Sequence, residues 1–176
     1  MINTLSKLTG KTINQPSEVI IQGFSGYASG GMTGTLLKVD DVYSISEGTV
    51  IEVSLAQDNL YVVTVMYQPD KLFRYCRLAS VDVELNEHIT MTDKIGVASD
   101  AKLRFEYCTL ESSDYPYRIL DKTYYKHDPA LILCGGMILY MSDAALGKFH
   151  QKQTQTSTTT TKQKYCSTLA SILRSN

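Results

Sequence analysis

Between Ser17 and Tyr107 the chain is a succession of short β-branched and aromatic runs, SEVIIQ, GTVIEVSL, LYVVTVMY, LFRYCRL, VDVEL and KLRFEY, separated by turn residues. Runs this short cannot build long amphipathic helices, and their regular spacing predicts an all-β sandwich or barrel. In YQPDK, Tyr67 to Lys71, Pro-Asp stands at the centre of a hairpin turn, where Pro fixes φ and Asp tolerates the bend. With 176 residues the chain can hold one such domain, with a hydrophobic core, plus an appendage.

Composition shifts along the chain divide it into an N-terminal arm (1–16), a β domain (17–120), an apolar extension packing on the domain or a partner (121–150), and a Thr-rich linker with a docking tail (151–176). DPALILCGGMILYM, residues 128 to 141, allows a helix opened by Asp128-Pro129 and stopped at Gly135, or a hairpin turning at Gly135-Gly136. TQTSTTTTKQK lacks the apolar side chains that would offset the entropy of ordering it. Beyond it Tyr165, Leu169, Ile172 and Leu173 recur at helical spacing, a stripe too brief to be stable without a surface to lie on. Five basic residues and no acidic one follow Asp143, leaving 12 basic against 18 acidic residues, a net −6, in residues 1–143. A basic tail on an acidic body fits docking onto other subunits of a large assembly, copies of itself among them.

Several function classes find no support. A formal net charge of −1, with no stacking platform, gives no expectation of nucleic acid. No stretch reaches the ~18 apolar residues of a membrane span. MINTLSKLTG lacks the pattern of a signal peptide, so synthesis in a cytoplasm and incorporation into a virion or similar particle are expected. Cys76, Cys108, Cys134 and Cys166 form no CxxC pair, and His88, His127 and His150 are scattered. GFSGYASGGMTG, residues 23 to 34, is glycine-rich but lacks the Lys-Ser/Thr of a phosphate-binding loop.

Four blocks in fixed order resemble a known family: GTVIEV (Gly48 to Val53), VTVMYQPDKLFRYCRL (Val63 to Leu78), VELNEHITMTDKIGVAS (Val83 to Ser99) and KLRFE (Lys102 to Glu106). They are similar to the G-T-V-x-x-V, V-V-I-x-H-x-x-G-x-x-T-x-Y-A-H-L, V-x-V-G-D-x-V-x-x-G-Q-x-I-G-x-x-G and H-L-H-F-E segments of the M23 (LytM/lysostaphin-like) zinc endopeptidases of peptidoglycan. The resemblance spans about residues 20 to 110. It implies an M23/LytM-like β-sandwich of the duplicated hybrid motif type, with a short C-terminal extension and helix. It also implies where the family's zinc ligands and catalytic histidines would stand. The H-x-H positions hold Lys102 and Arg104, the His of Y-A-H-L is Arg77, and the earlier H-x-x-x-D falls near Met32 and Leu36. None of these replaces a ligand, so the resemblance implies a catalytically dead domain with no cofactor.

KLRFEY itself allows two readings. Alternation can send Leu103, Phe105 and Tyr107 into a core and leave Lys102, Arg104 and Glu106 as a solvated face. Alternatively the cations line a pocket for a carboxylate or phosphate. The function expected is that of a non-catalytic structural or interaction module, in a phage tail or baseplate, docking through Tyr165, Leu169, Ile172 and Leu173. The alternative is a peptidoglycan-binding or peptidoglycan-hydrolysing protein with a rearranged site.

Overall fold

The computed structural model describes residues 3–24 and 34–135. Its strands are β1 (Ile20–Gln22), β2 (Thr35–Lys38), β3 (Asp41–Tyr43), β4 (Gly48–Leu55), β5 (Tyr61–Gln68), β6 (Lys71–Val81), β7 (His88–Ile89), β8 (Lys94–Ala98), β9 (Lys102–Thr109), β10 (Pro116–Ile119) and β11 (Lys122–His127). Two short helices, α1 (Thr4–Thr9) and α2 (Ala130–Cys134), flank them. The fold is all-β, as the runs predict. All eleven strands join one antiparallel sheet, whose main path is β1-β2-β9-β6-β5-β4-β7.

Strand β6 explains why the two layers expected of a sandwich are hydrogen-bonded together. It pairs β9 from Lys71 to Cys76 and then β8 from Leu78 onward, so it belongs to both. The change of partner falls on Arg77, which is the extra residue of a bulge against β5 and takes φ 70°. A bulge bends the strand and increases its twist, which is what leaving one neighbour for another requires.

One face of the sheet carries the main core. Val63 and Val65 of β5, Phe73 and Tyr75 of β6, and Leu103 and Phe105 of β9 alternate into it. Tyr67 stacks on Phe73 at 4.2 Å between ring centroids, and Phe105 meets Tyr75 edge-on at 5.4 Å. The backbone N–H of Ile45 donates to the buried Tyr75 hydroxyl, and burial pushes that phenol up to about 12.

Residues 3–16 depart from the expectation of an arm, because Leu5, Leu8 and Ile13 are members of this same core. The local reasons are readable: Asn3 Oδ1 accepts from the Ser6 N–H at 2.8 Å to start α1, and Gly10 at φ 63° ends it. The Ser6 hydroxyl then accepts from Ile13 N–H, folding the segment back. The sheet also runs past residue 120, since β11 pairs β9 as Tyr125↔Thr109 through His127↔Tyr107. Between residues 128 and 135 the helix is the conformation found: Asp128 Oδ1 accepts from Ala130 N–H, and α2 stops at Gly135. VDVEL contributes a strand only at Val81, because Glu84 to Glu87 close a turn in which the Glu87 carboxylate accepts from Glu84 N–H. The glycine-rich stretch 25–33, with Met32, and the tail residues Tyr165, Leu169, Ile172 and Leu173 lie outside the described residues.

Candidate functional site: a charged row under a hairpin

The opposite face of the sheet carries a row of polar residues in one register. Glu52 of β4 stands across from Thr64 of β5, Thr64 from Arg74 of β6, and Arg74 from Glu106 of β9. All four sit in strands rich in apolar residues, and alternation puts all four on the side away from the core. Thr64 is 0%, Glu106 1% and Arg74 8% exposed, so this row is interior.

What buries it is the β10–β11 hairpin. The Tyr117 hydroxyl on β10 donates to Glu52 Oε2 at 2.6 Å, although β4 lies three strands from β9, to which the hairpin is joined. Three strand spacings are about 14 Å, so the hairpin crosses the face to reach Glu52. Leu72, Cys108 and Tyr124, with Ile51, Met66, Tyr117 and Ile119 around them, form a second apolar cluster beneath it. The Arg74 guanidinium sits 3.8 Å from the centre of the Tyr117 ring, a cation–π contact out of water.

Three cations converge on the Glu106 carboxylate. Arg74 Nη1 bonds Oε2, Lys126 Nζ donates to Oε1 at 3.1 Å, and Arg104 Nε lies 3.2 Å from Oε1 without the alignment of a hydrogen bond. Glu52 is satisfied differently, accepting from Ser54 at 2.8 Å, Thr64 at 2.5 Å and Tyr117 at 2.6 Å, with Arg74 Nη2 at 3.7 Å. Burial alone would raise the Glu52 pKa, but these three hydrogen bonds and the Arg74 charge together hold it below the usual carboxylate range. Burial works against the Arg74 charge too, and its acidic neighbours Glu106 and Glu52 help to outweigh that penalty. The two thiols on this face are inert: burial and the Glu106 charge push Cys76 up to about 11 and Cys108 up to about 12.

The positions singled out from the sequence fall around the end of this row. Leu36 is the cross-strand partner of Arg104, and Cys76, the residue before Arg77, is its partner on the other side. Lys102 is paired with Lys38 one step outward, and both are exposed. The structure therefore brings Leu36, Lys102 and Arg104 side by side, with Arg77 at the neighbouring bulge. The expectation of a solvated Lys102–Arg104–Glu106 face holds only for Lys102, since Arg104 is half-buried and Glu106 enclosed under the hairpin. Glu52, Thr64, Arg74, Tyr117 and Lys126 were not singled out; for Glu52 and Thr64 the available signal was a polar residue in the middle of an apolar run.

This donor set does not fit zinc. Leu36 is hydrocarbon, and Arg77, Lys102 and Arg104 are cations without a free lone pair near neutral pH. Both carboxylates are already engaged by donors, and among the described residues no three His, Cys, Asp or Glu side chains converge as metal ligands. His88 is exposed on β7, while His127 Nε2 lies 3.0 Å from both Thr109 Oγ1 and the Glu111 carbonyl.

No protein-family model matches the sequence, and no curated protein matches it. Solved structures do. The solution structure of lysostaphin superposes with a TM-score of 0.54 at 16% identity, over 78% of this chain and 60% of that one. The chain has an M23-like, lysostaphin-type fold. A second structure, the antimicrobial peptidase lysostaphin from Staphylococcus simulans, gives 0.50 at 17% identity, over 63% of this chain and 48% of its own. A zinc-containing peptidase from Vibrio cholerae gives 0.42 at 19% identity, and the chain spans 35% of its length. At these identities the likeness is one of fold, and the M23-like fold is one shared with peptidases.

Proposed function

We propose that the chain is a non-catalytic M23-like domain that serves as an interaction module of a larger assembly. The observation that carries this reading is the sharing of Glu106 by Arg74, Arg104 and Lys126, on the face where the sequence resemblance places the family's H-x-H motif. Permanent cations there repel a dication, and the hairpin bonded to Glu52 through Tyr117 covers the surface an extended substrate would need. A domain with that chemistry removed offers shape and edges to partners. The proposed docking element is the tail stripe of Tyr165, Leu169, Ile172 and Leu173, and the proposed setting, from the resemblance, is a phage tail or baseplate.

The test is direct. Purified protein should contain no stoichiometric zinc by elemental analysis, keep its melting temperature in a chelator, and release no dye from labelled peptidoglycan. A chelator-induced fall of several degrees, restored by zinc, overturns the reading, because a structural metal contributes strongly to folding. Co-sedimentation with intact peptidoglycan without cleavage would turn the interaction surface toward glycan or peptide and away from protein subunits.

A further inference from the structure

We propose that Arg77, Arg104, Lys102 and Lys38 form a binding site for a phosphate-type dianion. The first observation is an orphaned donor. Arg77 Nε is buried with no hydrogen-bond acceptor, and Arg104 Nε, although 3.2 Å from Glu106 Oε1, lacks the alignment of a hydrogen bond to it. A buried donor left unpaired is destabilising, so Arg77 calls for an acceptor. The strands are adjacent: Cys76 pairs Arg104 across β6 and β9, and Arg77 follows Cys76 in the bulge.

The second observation is which face the bulge presents. Tyr75 and Leu78 both enter the main core, with two residues between them where an unbroken strand would have one. Cys76 and Arg77 therefore share the other face, the face of Arg104. Arg77 holds φ 70°, a conformation uncommon for a residue with a long side chain. Without the bulge, alternation would turn residue 77 toward the core; with it, the guanidinium stays on this face.

The third observation is charge. Lys38 and Lys102 are direct cross-strand partners, a destabilising placement for like charges. Among the described residues, neither these lysines nor Arg77 has an ion-pair partner. Arg104 shares its one acidic neighbour, Glu106, with Arg74 and Lys126. The local excess of positive charge exceeds what a monocarboxylate would neutralise and suits a dianion. A guanidinium edge offers two parallel N–H groups to two oxygens of such a group, and the ammonium groups add adjustable point charges. This site does not depend on the proposed function, since a zinc-free result and an anion-binding result are read separately.

The experiment is a titration of the full chain, labelled with ¹⁵N, with inorganic phosphate against chloride at equal ionic strength. The Arg Nε–H resonances of residues 77 and 104, assigned through Arg77→Lys and Arg104→Lys, should move and saturate, and the melting temperature should rise by about 3 °C. Lys102→Gln, an exposed substitution that leaves folding intact, should weaken phosphate binding about tenfold, as should Arg77→Gln if it folds. Glycerol 3-phosphate as a second probe separates the sources: binding equal to phosphate assigns the site to a phosphate carried on a larger molecule, and weaker binding assigns it to the free ion. Unmoved Nε–H resonances, an equal response to chloride, tighter binding of acetate than of phosphate, or unchanged affinity in Lys102→Gln would each overturn the proposal.

Discussion

Arg74 and Glu106 face one another directly across β6 and β9, bonded Nη1 to Oε2, at 8% and 1% exposure. A buried pair of this kind is weak evidence of net stabilisation, but it is costly to break. Removing one partner strands the other charge out of water, at about 3–5 kcal/mol. Glu106→Gln leaves Arg74, Arg104 and Lys126 without their shared anion and should lower the melting temperature by about 10 °C or more. Arg74→Met should do the same. Because both act on one network, the double variant should fall short of the sum by about 1–3 kcal/mol in a double-mutant cycle. Additive losses in denaturant melts would mean that the pair is not coupled.

Glu52 provides the pH dependence. Its carboxyl is held below the reference value of 4.5, so its ionised form is better stabilised in the folded state than in the unfolded one. For a depressed folded pKa, the contribution is fully present above the unfolded value and is lost as pH falls through the folded one. The stability difference between the native protein and Glu52→Gln should therefore be constant above pH 5 and shrink steadily on acidification below about 4.5. A difference that grows on acidification would show that the hydrogen bonds from Thr64 and Tyr117 do not favour the charged form.

The strands were legible because each is a local pattern, and GTVIEVSL maps onto β4 from end to end. The polar row was not, because register is non-local. Glu52 and Thr64 look like single tolerated polar residues, and Arg74 and Glu106 like members of charged runs, until strand pairing aligns all four. Alternation along KLRFEY assigns Glu106 to a solvated charged face; the cover over it, Pro116 to His127, is a separate hairpin that this local pattern does not include. The packing of residues 3–16 had local signals, Asn3 at one end of α1 and Gly10 at the other, with Leu5 and Leu8 three apart. What those signals cannot say is that the stripe has a core to enter, which depends on strands distant in sequence.

Gly34 is a separate test of how tightly β2 enters over the site. At φ 130° it would place a Cβ 2.9 Å from both Arg104 Cγ and Glu106 Cγ and 3.0 Å from the Phe105 carbonyl oxygen. The backbone carbonyl cannot yield as a side-chain end could. Gly34→Ala should lower the melting temperature by several degrees, the consequence of about 1–3 kcal/mol of strain and displacement. An unchanged melt would show that β2 can shift without disturbing Arg104.

The tail should be separable from the sheet. Among the described residues both apolar clusters are complete by Cys134, and the tail stripe begins at Tyr165. Truncation after His150 should leave the melting temperature within about 2 °C, the range of substitutions away from a core. If the proposed assembly role holds, it should also weaken incorporation into that assembly, as should Leu169→Asp in the intact chain. Unfolding of the truncated protein would make the tail part of the domain, and normal assembly without it would make the tail dispensable.

Placing two histidines at the H-x-H positions given by the resemblance should not create a metal enzyme. Lys102→His with Arg104→His introduces an H-x-H pattern on β9, where alternation puts both rings on the face of the polar row. The cross-strand neighbours of position 104 are Leu36 and Cys76; the first offers no lone pair, and burial holds the thiol of the second protonated up to about 11. Two imidazoles alone leave a tetrahedral site short of ligands, so zinc should bind weakly and be removed by dialysis. The Tyr117–Glu52 bond is unaffected by the change, and the hairpin should still cover the face. The expected result is a folded double variant that neither retains zinc through gel filtration nor releases dye from labelled peptidoglycan. Zinc-dependent cleavage by that variant would place the missing ligands elsewhere in the chain and would end the reading of Leu36 as the occupant of a lost ligand position.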